Sequence, residues 1–349
     1  SASGGIAASN SLTSATSYGN NANNITIDSN LIIGAYYGIR LNGVSSTVPT
    51  TGNKITNNTI QDAYYYSIFN YYQNDLMISN NDISRPTRST ISTFYGVYAN
   101  YSTKVSIWNN KIHDAGSGSY SCYPIYLGNS PNTIGNESEI VNNAVYNNST
   151  TGTYYGIYLY SISSTTGKNK NINIWHNTVD MNTNGSNGTR RGFTTSSTSA
   201  LYIDSVNITN NIINIYGNGT GTKHAIYMPS FTTLSGSNNL FRNVATAGTN
   251  NLGYYGANIA TLAAWNTATG MTNNIDDNPI IIAPGYVPYS NLIDNLATPL
   301  ASVTTDIDGT VRGTTPDIGA IESPESAPQV GIAAVTTDNG FCQTTSGAI

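Results

Sequence analysis

The stretch Val105-Ser-Ile107-Trp-Asn-Asn110-Lys-Ile112 is one copy of the repeat that organises this chain. In it an Asn lies three residues after one Ile and two residues before another. The same spacing occurs eight times, at intervals of 23 to 34 residues, and seven of the eight preceding positions hold Ile. Regular copies of one unit are typical of a solenoid. The repeated asparagines are Asn30, Asn58, Asn81, Asn110, Asn143, Asn177, Asn211 and Asn239.

Each unit has the pattern of a short β-strand followed by a turn. Apolar residues alternate, as in Val105-Ser-Ile107, and period 2 indicates a strand. The Asn pairs favour a sharp turn, because Asn tolerates the left-handed backbone conformation. If the coils stack, their amides lie one strand spacing apart and form a hydrogen-bonded ladder. We therefore expect a structural ladder that includes Asn58, Asn81, Asn110, Asn143, Asn177 and Asn211.

A second column of apolar residues lies between successive Asn turns. Two columns in one coil require at least two parallel sheets around a common core, and the smallest interval holds three short strands. The sequence therefore predicts an all-β fold, a right-handed single-stranded parallel β-helix of about eight to nine coils with a C-terminal cap. The second column is predicted to be Ile39, Ile68, Val97, Ile125, Ile157, Leu201 and Ile226.

Residues 25–322 resemble the pectate-lyase-like superfamily of right-handed β-helices. The segment from Thr261 to Gly270, together with the Asp- and Gly-rich stretch 306–322, is similar to the closing part of large secreted β-helix proteins common on the surface of Bacteroidota. The resemblance implies an extracellular or bacterial cell-surface protein with further domains in the same polypeptide. Leu262, Trp265 and Met271 are expected to close the end of the core.

The same closing part suggests two local arrangements. Arg312 is expected to pair with Asp317 or Glu322. The trio Asp306, Asp308 and Gly309 resembles half of a calcium loop, but it lacks the later bidentate Glu. We therefore assign no metal there.

The repeat divides the chain into four parts. We predict an N-terminal segment leading into the first coil at 1–24, the β-helix at 25–243, its capping segment at 244–323, and a linker with the start of another β domain at 324–349. Two cysteines, Cys122 and Cys342, make no disulfide framework, and the partner of Cys342 stays open.

Composition excludes two classes of function. Charged residues are 9% of the chain and the net charge is −5, with no basic stripe, so we expect no nucleic acid partner. No apolar run approaches 18 residues, so we expect no membrane insertion.

An aromatic stripe accompanies the second column. The residues directly after its apolar positions are predicted to point outward beside a trough of small residues that begins at Gly38 and Ser67. A neighbouring Tyr column that begins at Tyr37 and Tyr66 is expected to turn toward the interior or the strand's entry corner. The predicted outward stripe is Arg40, Phe69, Tyr98, Tyr126, Tyr158, Tyr202 and Tyr227.

The stripe has three interpretations. Sugar rings stack on aromatic rings, so Phe69, Tyr98, Tyr126, Tyr158, Tyr202 and Tyr227 are candidate ligand-binding residues for a polysaccharide or cell-surface glycan. Stacked rings also stabilise a parallel sheet without any ligand. A third interpretation is contact with another domain.

Evidence for catalysis is sparse, because residues 25–243 contain only seven Asp and two Glu. The best candidates are His113 with Asp114, His176 with Asp180, and His224. None forms a motif of the superfamily, and we assign no catalytic residue, metal ligand or cofactor. The leading hypothesis is a noncatalytic module for adhesion or carbohydrate contact. The alternatives are a polysaccharide lyase or glycoside hydrolase, and a rigid structural spacer.

Overall fold

A computed structural model describes residues 3–323 except 12, 20–21, 163–166, 197–198, 232 and 282–284. The tail 324–349, with the predicted further domain and Cys342, lies outside the described residues. The strands run coil by coil. They are Gly4–Ala8 (β1), Thr26–Asp28 (β2) and Leu31–Ile33 (β3); Tyr37–Asn42 (β4), Thr50–Thr51 (β5), Lys54–Thr56 (β6) and Thr59–Gln61 (β7); Tyr66–Tyr71 (β8), Gln73–Ser79 (β9) and Asp82–Ser84 (β10); Phe94–Asn100 (β11), Thr103–Trp108 (β12) and Lys111–His113 (β13); Cys122–Gly128 (β14), Ser138–Val141 (β15) and Ala144–Tyr146 (β16); Tyr154–Tyr160 (β17), Asn169–Trp175 (β18) and Thr178–Asn182 (β19); Arg190–Thr195 (β20), Ile203–Thr209 (β21) and Ile212–Tyr216 (β22); Lys223–Met228 (β23), Leu234–Ser235 (β24) and Leu240–Asn243 (β25); and Asn250–Tyr255 (β26) and Asn258–Ile259 (β27).

The strands stack into three sheets. Sheet A has the order β1-β4-β8-β11-β14-β17-β20-β23-β26-β27, sheet B runs β2-β6-β9-β12-β15-β18-β21-β24 with β5 beside β9, and sheet C contains β3, β7, β10, β13, β16, β19, β22 and β25. All strand pairs are parallel except β26 with β27. Among the described residues this makes eight complete coils, with β26 beginning a ninth. The predicted right-handed parallel β-helix is confirmed.

The Asn ladder runs through the turn between sheets B and C. Asn110 Nδ2 donates to Asn143 Oδ1 at 2.9 Å, and Asn143 Nδ2 donates to Asn177 Oδ1 at 2.9 Å. The backbone N–H of Asn143 donates to the same Asn177 oxygen at 3.0 Å. These polar groups are buried, so each bond satisfies atoms that no water reaches. The ladder extends from Asn30 to Asn274, one coil before and two coils beyond the predicted set.

The two residues of each Asn pair have different tasks. The first takes the left-handed conformation, with φ of 56° at Asn80 and 54° at Asn142, and the second supplies the ladder amide. His176 holds the first position in its coil with φ of 53°. It therefore belongs to the outer turn column, while Asn177 carries the ladder.

The predicted small outward column is wrong, because these residues face the core. A Cβ on Gly38 would lie 2.7 Å from Ile60 Cγ2, and one on Gly156 would lie 2.6 Å from Val179 Cγ1. Sheets A and C therefore approach each other where only small residues fit. Since Gly38 and the buried Ile39 both face inward, strict alternation breaks at this point of the strand.

The second column is right in six coils and wrong in the seventh. Phe193 of β20, and not Leu201, pairs with Ile157 and Ile226. Leu201 lies in a 3-10 turn, Ala200–Tyr202, with its side chain exposed. Sheet A therefore takes β20 from the segment that precedes Leu201.

The C-terminal part closes one end of the core. An α-helix, Leu262–Thr269 (α1), places the fully buried Trp265 against Phe241 and Tyr255 at ring distances of 6.1 and 5.9 Å. Met271 is also buried. No helix among the described residues is long and apolar enough to cross a membrane.

The chain after α1 returns along the Asn turns. Arg312 is buried and donates to the Glu322 carboxylate, to Asn142 Oδ1 at 2.9 Å and to Gly319 O at 2.8 Å. Of the two predicted partners, Glu322 therefore forms the ion pair, while Asp317 offers only its backbone carbonyl.

Candidate functional site

The outer face of sheet A is covered by aromatic rings, and we call it the tyrosine face. Its strands pair in register, so equivalent residues of successive coils stand one above another. Two outward columns follow from this register. The first is Tyr37, Tyr66, Tyr95, Tyr123, Tyr155, Arg191 and His224; the second is Arg40, Phe69, Tyr98, Tyr126, Tyr158, Thr194 and Tyr227.

The first column lies outside, which corrects the expected inward turn. Tyr66 stacks on Tyr95 at 4.8 Å, and Tyr95 meets Tyr98 edge to face at 5.2 Å with an interplanar angle of 89°. Tyr95 is half-buried. The outward position follows from the inward pair Gly38 and Ile39, because Tyr37 then falls on the opposite side of the strand.

The second column forms a floor beneath the first. Tyr98 and Tyr126 stack at 4.3 Å with an interplanar angle of 17°, and their exposed fractions are only 8% and 5%. Phe69 is equally buried and stacks on Tyr98 at 5.0 Å. The rings cover one another, so an outward position does not by itself give an exposed side chain.

A groove of about 410 Å³ lies over this floor. Asn100 is central to it, because its Nδ2 donates to the hydroxyls of Tyr98 at 2.9 Å and Tyr71 at 3.0 Å. Asn129 Nδ2 donates to Asn100 Oδ1 at 2.7 Å. The lining combines flat rings with hydroxyls and amides. It consists of Tyr71, Tyr95, Tyr98, Asn100, Tyr101, Tyr123, Tyr126, Asn129, Tyr158, Tyr160 and Ile162.

The groove is uncharged, with arginines beyond its two ends. Burial first, and then neighbouring tyrosines, raise the pKa of Tyr95, Tyr126 and Tyr158, so these hydroxyls stay protonated. Arg40 is packed between rings, with its guanidinium carbon 4.3 Å from the centre of Phe69. At the other end Arg191 lies 3.4 Å from the ring centre of Tyr227.

Four of the six predicted ligand-binding residues belong to one ring cluster. Phe69, Tyr98 and Tyr126 are three of its four buried members, and Tyr158 packs against the cluster. Tyr227 lies beyond Thr194, which interrupts the column.

Tyr202 is not on the face, because it lies in the 3-10 turn Ala200–Tyr202 and Thr194 takes its place in the register. The tyrosines of the first column were missed as site residues, although their spacing is visible in the sequence.

The outer face of sheet C holds His113. Its Nδ1 lies 2.6 Å from Asp114 Oδ2 and its Nε2 lies 3.2 Å from Asp82 Oδ1. Burial lowers the pKa of His113, but the bonds and charges of Asp82 and Asp114 outweigh it and the net shift is upward. Both ring nitrogens of His113 are engaged by carboxylates, so neither is free to take a proton from a substrate.

The other histidine candidates have structural partners. His176 is buried, with Nδ1 3.2 Å from Gly319 O and Nε2 2.8 Å from Asn210 Nδ2. His224 Nε2 lies 2.9 Å from Asn258 Oδ1. Asp180, the expected partner of His176, instead accepts from Asn214 and Tyr216.

Asp306 serves as a turn cap. Its Oδ1 accepts the backbone N–H of Asp308 at 2.9 Å and of Thr310 at 2.8 Å, while Oδ2 accepts from Glu322 N–H. Asp308 pairs with Lys111 at 2.8 Å. Both carboxylates are therefore engaged by protein donors.

Comparisons with known proteins match this chain to a protein family and to solved structures. The model of the family described as "Periplasmic copper-binding protein (NosD)" matches residues 5–184, more than half of the chain. Among solved structures, the "Crystal Structure of the periplasmic alginate epimerase AlgG" is similar at 14% identity and a TM-score of 0.38. That match covers 72% of this chain and 49% of the other, so the chain spans about half the length of that protein. No curated protein matches.

Proposed function

The chain belongs to the NosD family, and from that premise we propose that it is a noncatalytic β-helix module that contacts polysaccharide chains through its tyrosine face. The family description places NosD in the periplasm, so the chain is a secreted or envelope-associated protein. Our proposal goes further and places the module outside the cell or on its surface, in adhesion to glycans.

The observation that carries the proposal is the groove over Tyr98 and Tyr126. It is open, elongated across successive coils and uncharged, and it offers half-exposed rings such as Tyr95 and Tyr123. Flat rings bind the C–H faces of sugars, while hydroxyls and amides such as Asn100 bind sugar hydroxyls. Because each coil repeats the arrangement, a polymer of similar units fits it better than a small ligand.

Copper binding is not part of the proposal. No three His, Cys, Asp or Glu side chains converge to hold a metal ion within the described ranges. His113 and His176 have protein partners at both ring nitrogens, His224 has one at Nε2, and Cys122 is buried in the core. These donors do not fit the His, Cys and Met sets that copper prefers.

The test is affinity electrophoresis in gels containing neutral or acidic polysaccharides. We expect at least one neutral polysaccharide to retard the protein. The double variant Tyr95→Ala with Tyr123→Ala should bind about tenfold more weakly, since it removes two half-exposed rings and leaves the buried floor. The polysaccharide is also assayed for new reducing or unsaturated ends, which a noncatalytic module does not produce.

The matched control is Tyr254→Ala. Tyr254 stacks on Tyr227 at 4.5 Å on the same sheet, beyond the interruption at Thr194. It should keep wild-type retardation. Equal binding by the double variant and the wild type, or no retardation by any polysaccharide, would contradict the proposal.

A further inference from the structure

A second cavity lies on the outer face of sheet C, on the other side of the molecule's core from the tyrosine groove. Its volume is about 230 Å³, below the usual range for drug-sized ligands and suited to a single small ring. Three successive coils contribute to it through the ends of β16, β19 and β22. The lining residues are Asn147, Asn148, Ser149, Asp180, Asn182, Asn184, Tyr216 and Gly285.

Asp180 is the only charged residue in this lining, and it is 6% exposed. Its Oδ1 accepts from Asn214 Nδ2 at 2.7 Å and its Oδ2 from the Tyr216 hydroxyl at 3.0 Å. A carboxylate accepts about four hydrogen bonds, so each oxygen retains acceptor capacity. Within the described part of the chain Asp180 forms no ion pair, and the nearby Arg242 donates to Asn214 instead.

Burying the ionised carboxylate of Asp180 costs free energy. Burial raises the pKa of Asp180 to about 6, against the hydrogen bonds of Asn214 and Tyr216 that lower it. A neutral residue at this position would avoid the desolvation cost. Buried carboxylates of this kind concentrate at functional sites, which supports a role beyond packing.

The rest of the lining indicates the ligand's chemistry. Asn182 and Asn184 are exposed at the rim, and the ring of Tyr216 is half-buried. Asn148 is the polar floor, with its Oδ1 accepting Ala115 N–H at 2.9 Å. The lining contains no Lys or Arg, so an anionic ligand would lack a counter-charge.

We propose that this cavity binds one neutral sugar ring, with two neighbouring hydroxyls donating to Asp180 and the ring's apolar face against Tyr216. A vicinal diol places two donors at the separation of the two carboxylate oxygens. The cavity volume fits a single ring, so it takes a monosaccharide or the end of a chain. The site is separate from the tyrosine face and does not depend on the function proposed for it.

The test measures binding of a panel of neutral methyl glycosides at millimolar concentration, by ligand-observed NMR. At least one should bind the wild type. Asp180→Asn should weaken it about tenfold or more, because hydrogen bonds to a charged acceptor are lost. Tyr216→Ala, at a partly exposed position, should weaken it about threefold to tenfold and covers the case in which the first variant fails to fold.

Two controls separate this site from the tyrosine face. Asp75→Asn removes an exposed carboxylate that pairs with Lys104 and should leave binding unchanged. The Tyr95→Ala, Tyr123→Ala double variant should also keep glycoside binding while losing polysaccharide. Glycoside binding lost in that double variant and unchanged in Asp180→Asn would overturn this proposal and leave the tyrosine face standing.

Two further outcomes would overturn it. One is the absence of binding by every glycoside in the panel. The other is binding of methylammonium without any sugar, abolished in Asp180→Asn, which would assign the cavity to organic cations.

Discussion

The outer faces of sheets A and C rise from the same coils and carry opposite chemistry. Sheet A presents neutral rings that bury one another, as Tyr98 and Tyr126 do at 4.3 Å. Sheet C presents charged groups, with His113 between two carboxylates and Asp180 in its cavity. Both faces are built on the same Asn ladder and the same Ile core. The interior therefore sets the fold, and the outward positions are free to diverge into different sites.

The largest effect should come from the interior that the two faces share. In Asn177→Ala the donors of Asn143 lose their acceptor, and Ile140 O and Asn211 Oδ1 lose a donor. Each buried unsatisfied group costs about 1–3 kcal/mol, so the free energy of unfolding should fall by about 4 kcal/mol or more.

Urea denaturation monitored by circular dichroism measures this loss. Asn184→Ala, which changes an exposed Asn at the cavity rim, is the matched control and should shift stability little. A similar small shift in both variants would mean that the ladder contributes nothing beyond ordinary turns.

A smaller effect should appear on sheet C and depend on pH. The pKa of Asp180 is about 6 in the fold and near 3.8 when unfolded, so the folded state binds the proton more tightly. The contribution of protonated Asp180 to the free energy of unfolding is fully present below pH 3.8 and is lost as pH rises through 6. Asp180→Asn should therefore gain stability relative to wild type as pH rises from 4 to 7, and the gain over low pH should approach about 3 kcal/mol at pH 7, at 1.36 kcal/mol per pKa unit. Denaturation midpoints of both proteins at four pH values measure this gain. A stability difference that does not change with pH would contradict the prediction.

The smallest effect should appear on sheet A and show no pH dependence. Tyr98→Phe keeps the stacked ring and removes the hydroxyl that accepts from Asn100 Nδ2. Burial and the neighbouring Tyr71 raise the pKa of Tyr98, so it stays neutral throughout this range. The loss should be about 1 kcal/mol at pH 4 and pH 7 alike. If the stability lost in Tyr98→Phe differed between pH 4 and pH 7, the outer faces of sheets A and C would not differ in their pH dependence.

The sequence predicts the interior well because the interior repeats. The Ile column and the Asn amides return in every coil, and stacking leaves one arrangement that satisfies both. The end of the core was also predictable, because the resemblance of the segment from Thr261 to Gly270 to the closing part of other β-helix proteins implied that Trp265 is buried there.

The seventh coil was not predictable in this way. Its strand, Arg190–Thr195, has a buried Arg where other coils have Tyr154 or Cys122. Arg190 is accommodated because its guanidinium donates to the backbone carbonyls of Thr150 and Gly152. Thr194 and Thr195 replace the Tyr158 and Leu159 of the preceding coil, whereas Leu201-Tyr-Ile203 keeps that pattern, so the sequence pointed to Leu201 instead.

The tyrosine face and the Asp180 cavity also differ in whether their residues repeat from coil to coil. The tyrosine columns repeat and are visible in the sequence, although their sides were assigned by strict alternation and half of them fell on the wrong face. The Asp180 cavity has no repeat. It is built from turn residues of three coils, such as Asn147 and Asn184, whose proximity depends on the lengths of the intervening turns.

The returning segment changes how the molecule would respond to a pull. Asn142, His176, Asn210 and Asn238, on four successive coils, all bond to it through Thr305, Gly319, Thr298 and Leu296. A solenoid otherwise frays from its ends, one coil after another. Tension applied near residue 323 would instead load these four coils together, in shear along the axis. A solenoid fastened in this way is expected to keep its length until several of these bonds break together.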